Sequence, residues 1–368
     1  MVVACRMPIV PCRASSRARA AVVAAALLLA CVVPTPAVAQ APATGLLEDQ
    51  PVERPSNRVD GAEFARRLLS PLSGRDVARF LAAEGRKLAA EPFAPGDYSA
   101  DLYVPKRHPE AGYGLLVFVP PMDGFAIPSD WKRVLEQRGL LLVMPRGAGN
   151  EADVFGRRIP AVLHAEAYAA STYRLDPARR YVGGFSGGAR LAQRVALAWP
   201  DVFQGSLQFA GSVVVGENLM PPPARELFEQ ARQHGRFVLV SGGQDLPNRR
   251  NDALARERFQ VLCFAGVHSF GPARLDHWVP DARGFAKALD RLESPATLSP
   301  EHEACRRQLD AVVAGALDAV QAQLDAGEVI AARDALVALD DRYGGLAAPR
   351  SLDLARAIGQ LDLVHHRR

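Results

Sequence analysis

The chain has 368 residues, of which 49% are hydrophobic and 23% are charged, a composition ordinary for one or two globular domains. The formal net charge of +4 comes from residues 1–39, which contain four arginines and no acid; without those four, 40 basic residues face 40 acidic ones. This balance excludes overall charge as a basis for binding nucleic acid or an acidic membrane surface.

The amino terminus, residues 1–39, predicts an export signal. Arginines precede an apolar run at residues 20–33, which is too short to span a bilayer comfortably, and a small-x-small cleavage site ends at Ala39. We therefore expect an exported protein, either periplasmic or secreted. An alternative is that residues 28–31 form a bacterial lipoprotein box, in which case lipidation at Cys31 would attach the chain to a membrane.

The few cysteines fit an exported protein whose fold is stabilised mainly by its apolar core. Cleavage after Ala39 leaves two cysteines, Cys263 and Cys305. An oxidising compartment permits a disulfide between them, and two separate buried thiols are the alternative. With so few cysteines, the fold depends on apolar packing.

The segment from residue 40 to residue 96 predicts a leader and N-terminal helices. Residues 40–59 are rich in proline, alanine and polar groups, and this composition favours a flexible leader. Residues 61–90 carry apolar side chains at helical spacing. Pro71 and Gly74 are expected to split this pattern into two helices.

Residues 97–295 alternate continuous apolar strands with helical patterns, and each crossover is long enough to hold a helix. This alternation indicates a parallel sheet covered on both faces. The stretch FQVLCFAGV could be a strand. A helix from Asn251 to Ala265 that stops at Gly266 would cover the sheet better, so we predict that helix and place the last strand within VHSFGPARL.

The composition shifts again at residues 296–368, which are rich in alanine and leucine. Their pattern predicts three amphipathic helices, broken by Gly327 and by the pair at residues 344–345. No sequence period repeats, so a repeat array is not expected. We predict a small all-helical appendage, whose helices could bind a protein partner or a second copy of the chain.

The stretch YVGGFSGGARLA, residues 181–192, combines a strand, a Gly-x-Ser-x-Gly turn and a helix. In such an elbow a strained turn lifts the Ser186 hydroxyl above the end of the strand. Crowding then requires small residues two before and two after it, here Gly184 and Gly188. The amide of Gly187 would face a developing oxyanion at the start of the helix. A purely structural glycine turn is the alternative.

A second oxyanion donor is expected from the loop after an earlier strand, VFVPPMDGF. Pro120 and Pro121 have no amide hydrogen. Met122 is therefore the first available donor, and Asp123 is the next candidate. Only the backbone of Met122 would take part, so its side chain remains free to line a pocket.

A serine nucleophile needs a base, and the base needs an acid that orients it. In this topology the chain order is serine, acid, histidine. Asp245 follows the strand RFVLV, whereas the rival Asp252 lies inside the next helical pattern. His277 follows the predicted last strand, whereas His268 begins that strand and would face the wrong edge. We therefore predict a triad of Ser186, His277 and Asp245, with turn, cap or surface roles as the alternatives.

Other chemistries find no support in the sequence. No His, Cys, Asp or Glu cluster has metal-ligand spacing, and no Walker-type phosphate loop is present. The glycines around Ser186 do not form the G-x-G-x-x-G pattern of a dinucleotide site. The sequence predicts neither a metal nor a cofactor.

The chain resembles α/β-hydrolases of the polyhydroxybutyrate depolymerase and feruloyl esterase-like branch. The resemblance covers roughly residues 97–294 and is carried by DPARRYVGGFSGGARLAQRVALAWPDVFQG, SGGQDLPNRR and DHWVPDARGFAKALDRL. It implies the α/β-hydrolase fold, with Ser186 as nucleophile, Asp245 as acid and His277 as base. The family's oxyanion strand usually ends in His-Gly, whereas Pro120 and Pro121 stand there in this chain.

The resulting hypothesis is an exported serine hydrolase that cleaves a small-molecule or polymer ester. One alternative is an exported binding or scaffold protein that uses the hydrolase fold and the C-terminal helices to hold a partner. A serine peptidase is the other, ranked lower because no propeller or other gating domain is evident in the sequence.

Overall fold

The computed structural model describes residues 43–59, 61–86, 92–216 and 220–365. The predicted export signal, its cleavage site and Cys31 lie outside the described residues. Within the described ranges, none of the helices combines the length and the apolar character needed to cross a membrane.

An eight-stranded sheet forms the centre of the molecule, in the order β1-β2-β4-β3-β5-β6-β7-β8. The strand β2 runs antiparallel to both of its neighbours, and every pairing from β4–β3 to β7–β8 is parallel. This order, with helices on both faces, is the α/β-hydrolase fold. The strands are β1 (Gly45–Pro51), β2 (Ser99–Val104), β3 (Tyr113–Val119), β4 (Leu140–Pro145), β5 (Leu175–Phe185), β6 (Gly205–Phe209), β7 (Arg236–Val240) and β8 (Gly266–Phe270).

Helices connect and cover these strands. A π-helical turn at Val154–Arg158 precedes α4, and a 3-10 turn at Gly344–Ala347 precedes α11. The α-helices are α1 (Gly61–Leu68), α2 (Pro71–Ala83), α3 (Trp131–Arg138), α4 (Ile159–Thr172), α5 (Gly187–Ala198), α6 (Arg225–His234), α7 (Leu246–Val261), α8 (Ala282–Glu293), α9 (Pro300–Asp325), α10 (Val329–Tyr343) and α11 (Arg350–His365).

The continuous apolar strands are buried because both faces of the sheet carry a core. Every residue of β3, β4, β6 and β7 is buried. On one face α3 and α8 pack together, with the Trp131 ring stacked 4.1 Å from the Phe285 ring. The other, larger core joins α4, α5, α6 and α7 to the sheet. A strand with two dry faces has no need for polar alternation.

The strand β1 corrects the prediction of a flexible leader at residues 40–59. It pairs antiparallel with β2 at the edge of the sheet. Only one side of this edge strand faces protein, so Leu47 and Val52 pack inward while Leu46 is exposed. Such a strand needs few apolar residues, which explains why its composition indicated a leader.

The rest of that segment is also anchored to the folded domain. The Ser56 amide donates a 2.8 Å hydrogen bond to Nδ1 of the buried His164, and Arg58 forms a 3.0 Å ion pair with the buried Glu166. The α/β domain therefore begins before residue 97.

Two helices follow this segment, as predicted, and only one of the two predicted breaks occurs. Pro71 lies in the first turn of α2, and the Ser70 hydroxyl caps that helix by accepting from the Ser73 amide at 3.0 Å. Gly74 lies inside α2 and does not interrupt it. A proline in the first turn loses no helical hydrogen bond, so it marks the start of the second helix.

The prediction of a helix before the last strand is confirmed. The helix α7 starts five residues earlier than expected, because Asp245 caps it and Pro247 lies in its first turn. The last strand is β8, which ends at Phe270 and leaves His277 in the loop that follows.

The C-terminal helices pack against the α/β domain, and the described residues from 43 onward belong to one compact unit. Their apolar residues share the larger core. A disulfide between Cys263 and Cys305 joins the end of α7 to α9, so the alternative of two separate thiols is wrong. The Ser70 and Ser73 hydroxyls donate hydrogen bonds to Asp340 on α10.

Candidate active site

Ser186 occupies the turn between β5 and α5, at the carboxyl edge of the sheet. Its backbone dihedrals are φ 55° and ψ −119°, a region that side-chain-bearing residues rarely adopt and that costs about 1–3 kcal/mol. The Ser186 amide donates a 2.8 Å hydrogen bond to the Phe209 carbonyl of β6, which helps to hold the turn. The serine is half-buried, so its hydroxyl is not sealed inside the core.

Three glycines allow the backbone to close around Ser186. A Cβ at Gly184 would lie 2.5 Å from the Gly188 carbonyl oxygen, and a Cβ at Gly188 would overlap the Val119 carbonyl of β3. These contacts confirm the crowding expected at both positions. A Cβ at Gly211 would lie 3.0 Å from the carbonyl carbon of Ser186, a contact that the five-residue motif does not reveal.

The structure brings the predicted serine, histidine and aspartate together. The distance from His277 Nε2 to Ser186 Oγ is 3.1 Å, and His277 Nδ1 lies 2.7 Å from Asp245 Oδ2. A carboxylate at Nδ1 holds the ring proton there, so the Nε2 lone pair faces the serine hydroxyl. The His277 side chain is 46% exposed and that of Asp245 only 5%, so the imidazole is reachable from solvent and the carboxylate is not.

Asp245 is held by a residue that the sequence analysis missed, Asn248. The Asn248 side-chain amide donates to both carboxylate oxygens of Asp245, at 3.0 and 2.9 Å. Burial works to raise the pKa of Asp245, but the hydrogen bonds from His277 and Asn248 outweigh burial, and the pKa lies below its ordinary value. The signal in the sequence was a helix-capping aspartate followed three residues later by an amide.

The rival candidates lie elsewhere. Asp252 is buried on α7 and accepts a 2.6 Å hydrogen bond from the Ser212 hydroxyl; burial raises the pKa of this carboxyl. His268 lies in the middle of β8 rather than at its start, and burial followed by the charge of Arg291 lowers its pKa. Neither is among the residues hydrogen-bonded to Ser186 in the described structure.

The two predicted oxyanion residues belong to loops that meet beside Ser186. Gly187 begins α5, where the first amides have no partner within the helix. Met122 follows the proline pair after β3, and a Cβ at Gly188 would lie 3.2 Å from the carbonyl carbon of Pro120. The end of β3 therefore packs directly against the start of α5. Their assignment as oxyanion donors stays a prediction.

Three aromatic rings pack together beside His277. The Phe185 ring lies 5.1 Å from the imidazole, and the Trp278 ring lies 5.5 Å from Phe185. Phe125 contacts both Phe185 and Trp278, at 6.0 and 5.8 Å. More than half of the Trp278 and Met122 side-chain surfaces face solvent. The site is thus an open one with apolar walls.

A pocket of about 480 Å³ lies next to this wall, at the carboxyl ends of β3 and β4. Its apolar lining includes Met122, Phe125, Ile127 and Met144. The charged residues that line it are Glu48, Asp101, Asp123, Lys132 and Arg146. A volume of this size is enough for a drug-sized group. As for metal binding, the described residues hold no group of three His, Cys, Asp or Glu side chains arranged for an ion.

Comparisons with known proteins give distant similarities. No protein-family model matches the chain. An acetylxylan esterase from Coprinopsis cinerea is 27% identical over 140 residues, which span 33% of this chain and 36% of that protein.

Several solved structures are similar to just over half of the chain, among them two hydrolases. An S-formylglutathione hydrolase from Agrobacterium tumefaciens is 16% identical, with 54% of this chain and 90% of that one covered and a TM-score of 0.38. A dienelactone hydrolase from Anabaena variabilis is 19% identical, with 54% and 92% covered and a TM-score of 0.38. These similarities assign no substrate, and the α/β-hydrolase fold stands on the strand order of the sheet itself.

Proposed function

We propose that the protein is a serine hydrolase that cleaves carboxylic esters. His277 Nε2 removes the proton from Ser186 as Oγ bonds to the ester carbonyl carbon, and the carbonyl electron pair moves onto oxygen. The tetrahedral intermediate collapses and expels the alkoxide, which takes the proton from His277. Water then attacks the acyl-enzyme with His277 again as base, and release of the acid restores Ser186.

The observation that carries this proposal is the hydrogen-bonded relay from Ser186 through His277 to Asp245. A serine hydroxyl is a weak nucleophile on its own, and an adjacent base makes it reactive. The strained backbone at Ser186 supports the same conclusion, since strain of this kind is retained where a functional group must be presented.

The amides of Gly187 and Met122 complete the proposed chemistry. Both would donate hydrogen bonds to the oxygen that becomes negative in the tetrahedral intermediate. The amide at the start of α5 also gains from the positive field of the helix amino terminus. Asp245 stabilises the imidazolium that forms and keeps the ring in the orientation that His277 needs.

The substrate class within esters is inferred from the openness of the site and from sequence similarity. The open, aromatic-lined site suits a bulky or polymeric ester. The sequence resemblance favours feruloyl and polyhydroxyalkanoate esters, and the curated relative is named for an acetylated polysaccharide. We include acetylated sugars among the candidates for this reason.

We also propose that the protein is exported. The signal-like residues 1–39 support this, and so does the Cys263–Cys305 disulfide, because such bonds persist in oxidising compartments. Mass spectrometry of the native protein would distinguish cleavage after Ala39 from lipidation at Cys31.

A hydrolysis screen tests the proposed activity. Wild type and Ser186→Ala are compared on short-chain, acetyl-sugar, feruloyl and polyhydroxyalkanoate esters. We expect turnover of at least one class by wild type, and a loss of roughly 10⁶-fold in Ser186→Ala. Equal rates for the two folded proteins on every ester would reject the assignment and favour the binding or scaffold alternative.

A further inference from the structure

The loop after β4, residues 146–153, has no role in the relay described above, yet it touches both predicted oxyanion residues. Its main chain is bonded to the loop after β3: the Asn150 amide donates a 2.8 Å hydrogen bond to the Pro121 carbonyl. Pro120 and Pro121 cannot donate hydrogen bonds. The Asn150 amide therefore supplies the donor for a hydrogen bond that attaches the loop leading to Met122 to the loop after β4.

A second contact brings this loop directly onto Met122. A Cβ at Gly149 would lie 3.1 Å from the Met122 Cα and 3.3 Å from the Asp123 amide nitrogen. The two backbones are thus in close contact at the residue whose amide is the predicted donor. Movement of the 146–153 loop would displace Met122 as well.

The Asn150 side chain reaches the other half of the predicted oxyanion site. A Cβ at Gly187 would overlap Asn150 Oδ1 and would lie 2.7 Å from Cγ and 2.9 Å from Nδ2. The carboxamide therefore covers Gly187 whichever way its oxygen and nitrogen are assigned. Gly187 does not have the positive φ that favours glycine, so what a side chain there would meet is the adjacent Asn150 carboxamide, which would have to turn aside.

We propose that Asn150 is a positioning residue that fixes the separation of the two oxyanion amides, at Met122 and Gly187. Its main chain is hydrogen-bonded to the loop after β3, and its side chain lies against Gly187 at the start of α5. This inference rests on the proposed hydrolase function and extends it to a residue outside the relay. The oxyanion forms in the tetrahedral intermediate and develops in the transition states on either side of it, but not in the bound ester, so a loosened hole lowers kcat and leaves KM nearly unchanged.

The test begins with Asn150→Ala, with Glu151→Gln as the matched control in the same exposed loop. We expect Asn150→Ala to lower kcat by about 10- to 100-fold, as displacements of up to 1 Å do. The KM and thermal midpoint of Asn150→Ala should stay close to those of wild type. The control variant should match wild type in kcat as well. Unchanged kcat in a folded Asn150→Ala protein would overturn the proposal.

A pair of variants at Gly187 separates positioning from general packing. Gly187→Ala should lower kcat further, because its new methyl group overlaps the Asn150 carboxamide. The double variant Asn150→Gly with Gly187→Ala removes that overlap and should recover part of the loss. If the double variant is as slow as, or slower than, Gly187→Ala, the two residues do not act through this contact and the proposal fails.

Labelling with a fluorophosphonate tests the serine hydrolase function and the role of Asn150 separately. Its phosphoryl oxygen occupies the same hole, so Asn150→Ala should label more slowly than wild type. A folded wild type that does not label rejects the serine hydrolase function itself. A wild type that labels at the same rate as Asn150→Ala rejects only the role of Asn150.

Discussion

The two ends of the relay are held in place by different means. At the serine end, main chain packs on main chain, and Gly184, Gly188 and Gly211 leave no space for side chains. At the acid end, side chains do the holding, since Asn248 donates to both oxygens of Asp245. Close main-chain packing leaves no room for an added atom, whereas loss of one hydrogen-bond donor weakens the hold on Asp245 only in part. Substitutions at the two ends should therefore fail in different ways.

Among the substitutions that compare the two ends, Asp245→Asn at the acid end is expected to lower activity most. The variant keeps the size of the side chain but no longer holds the proton on His277 Nδ1, so Nε2 stops acting as a base. We predict a loss in kcat of about 10⁴-fold, by analogy with the same change in other serine triads. Near-normal ester hydrolysis at pH 7 by a folded variant would show that Asp245 is not the orienting acid.

A smaller loss of activity, combined with a loss of stability, is expected at the serine end from Gly188→Ala. The added methyl group collides with the Val119 carbonyl, which is backbone and cannot turn aside. We predict a drop in unfolding free energy of about 1–3 kcal/mol, or more if β3 must shift. Misplacement of Ser186 should lower kcat by about 10²-fold.

Gly315→Ala is the control for that experiment. Gly315 lies in α9 with no heavy atom near its absent Cβ, so alanine should stabilise the protein by about 0.5–1 kcal/mol. Urea unfolding measures both variants. Equal stability changes at Gly188 and Gly315 would contradict the steric account.

A loss of activity smaller than that of Gly188→Ala is expected from Asn248→Ala. This variant removes hydrogen bonds to Asp245 but keeps the carboxylate. We predict a fall in kcat of about 10-fold, corresponding to the net value of a charged hydrogen bond. The loss of donors also raises the pKa of Asp245 towards its ordinary value.

The pH dependence of stability tests whether Asn248→Ala raises the pKa of Asp245. The pKa of Asp245 is lower in the folded protein, so its stabilising contribution is complete above the unfolded value near 3.8 and fades as the pH falls through the lower folded value. Asn248→Ala should therefore be destabilised relative to wild type at pH 7, and the difference should shrink on acidification below pH 3.8. A difference that grew on acidification would contradict this assignment.

The smallest effect on activity is expected from Asp252→Asn. This carboxyl lies on the same helix as Asp245, but it bonds to Ser212 rather than to His277. Ester hydrolysis by the variant should stay close to that of wild type. A loss as large as that of Asp245→Asn would mean that the rival aspartate takes part in the relay.

The parts of the fold that sequence patterns predict are those with a local cause. Buried strands such as β3 are apolar along their whole length, and the turn at Ser186 requires glycines at fixed offsets. The edge strand β1 lacked such a signal, because only one of its faces meets protein and its pairing with β2 joins residues 48 to 59 positions apart.

The same distinction applies to the site. Asp245 and His277 could be placed because each follows a strand whose pattern is clear, although their hydrogen bonds to one another are tertiary contacts. Asn248 has a local signal, because it lies three residues after the aspartate that caps α7. Asn150 has none, since its contacts to Pro121 and Gly187 come from the meeting of two loops with the start of α5.

The central claim is that Ser186 is an activated nucleophile, and covalent labelling tests it most directly. Wild type and Ser186→Ala are treated with a fluorophosphonate and digested, and the adduct is located by mass spectrometry. We predict one adduct per chain, on the peptide that contains Ser186, and none in Ser186→Ala. A folded wild type without an adduct, or with an adduct on a different serine, would contradict the account.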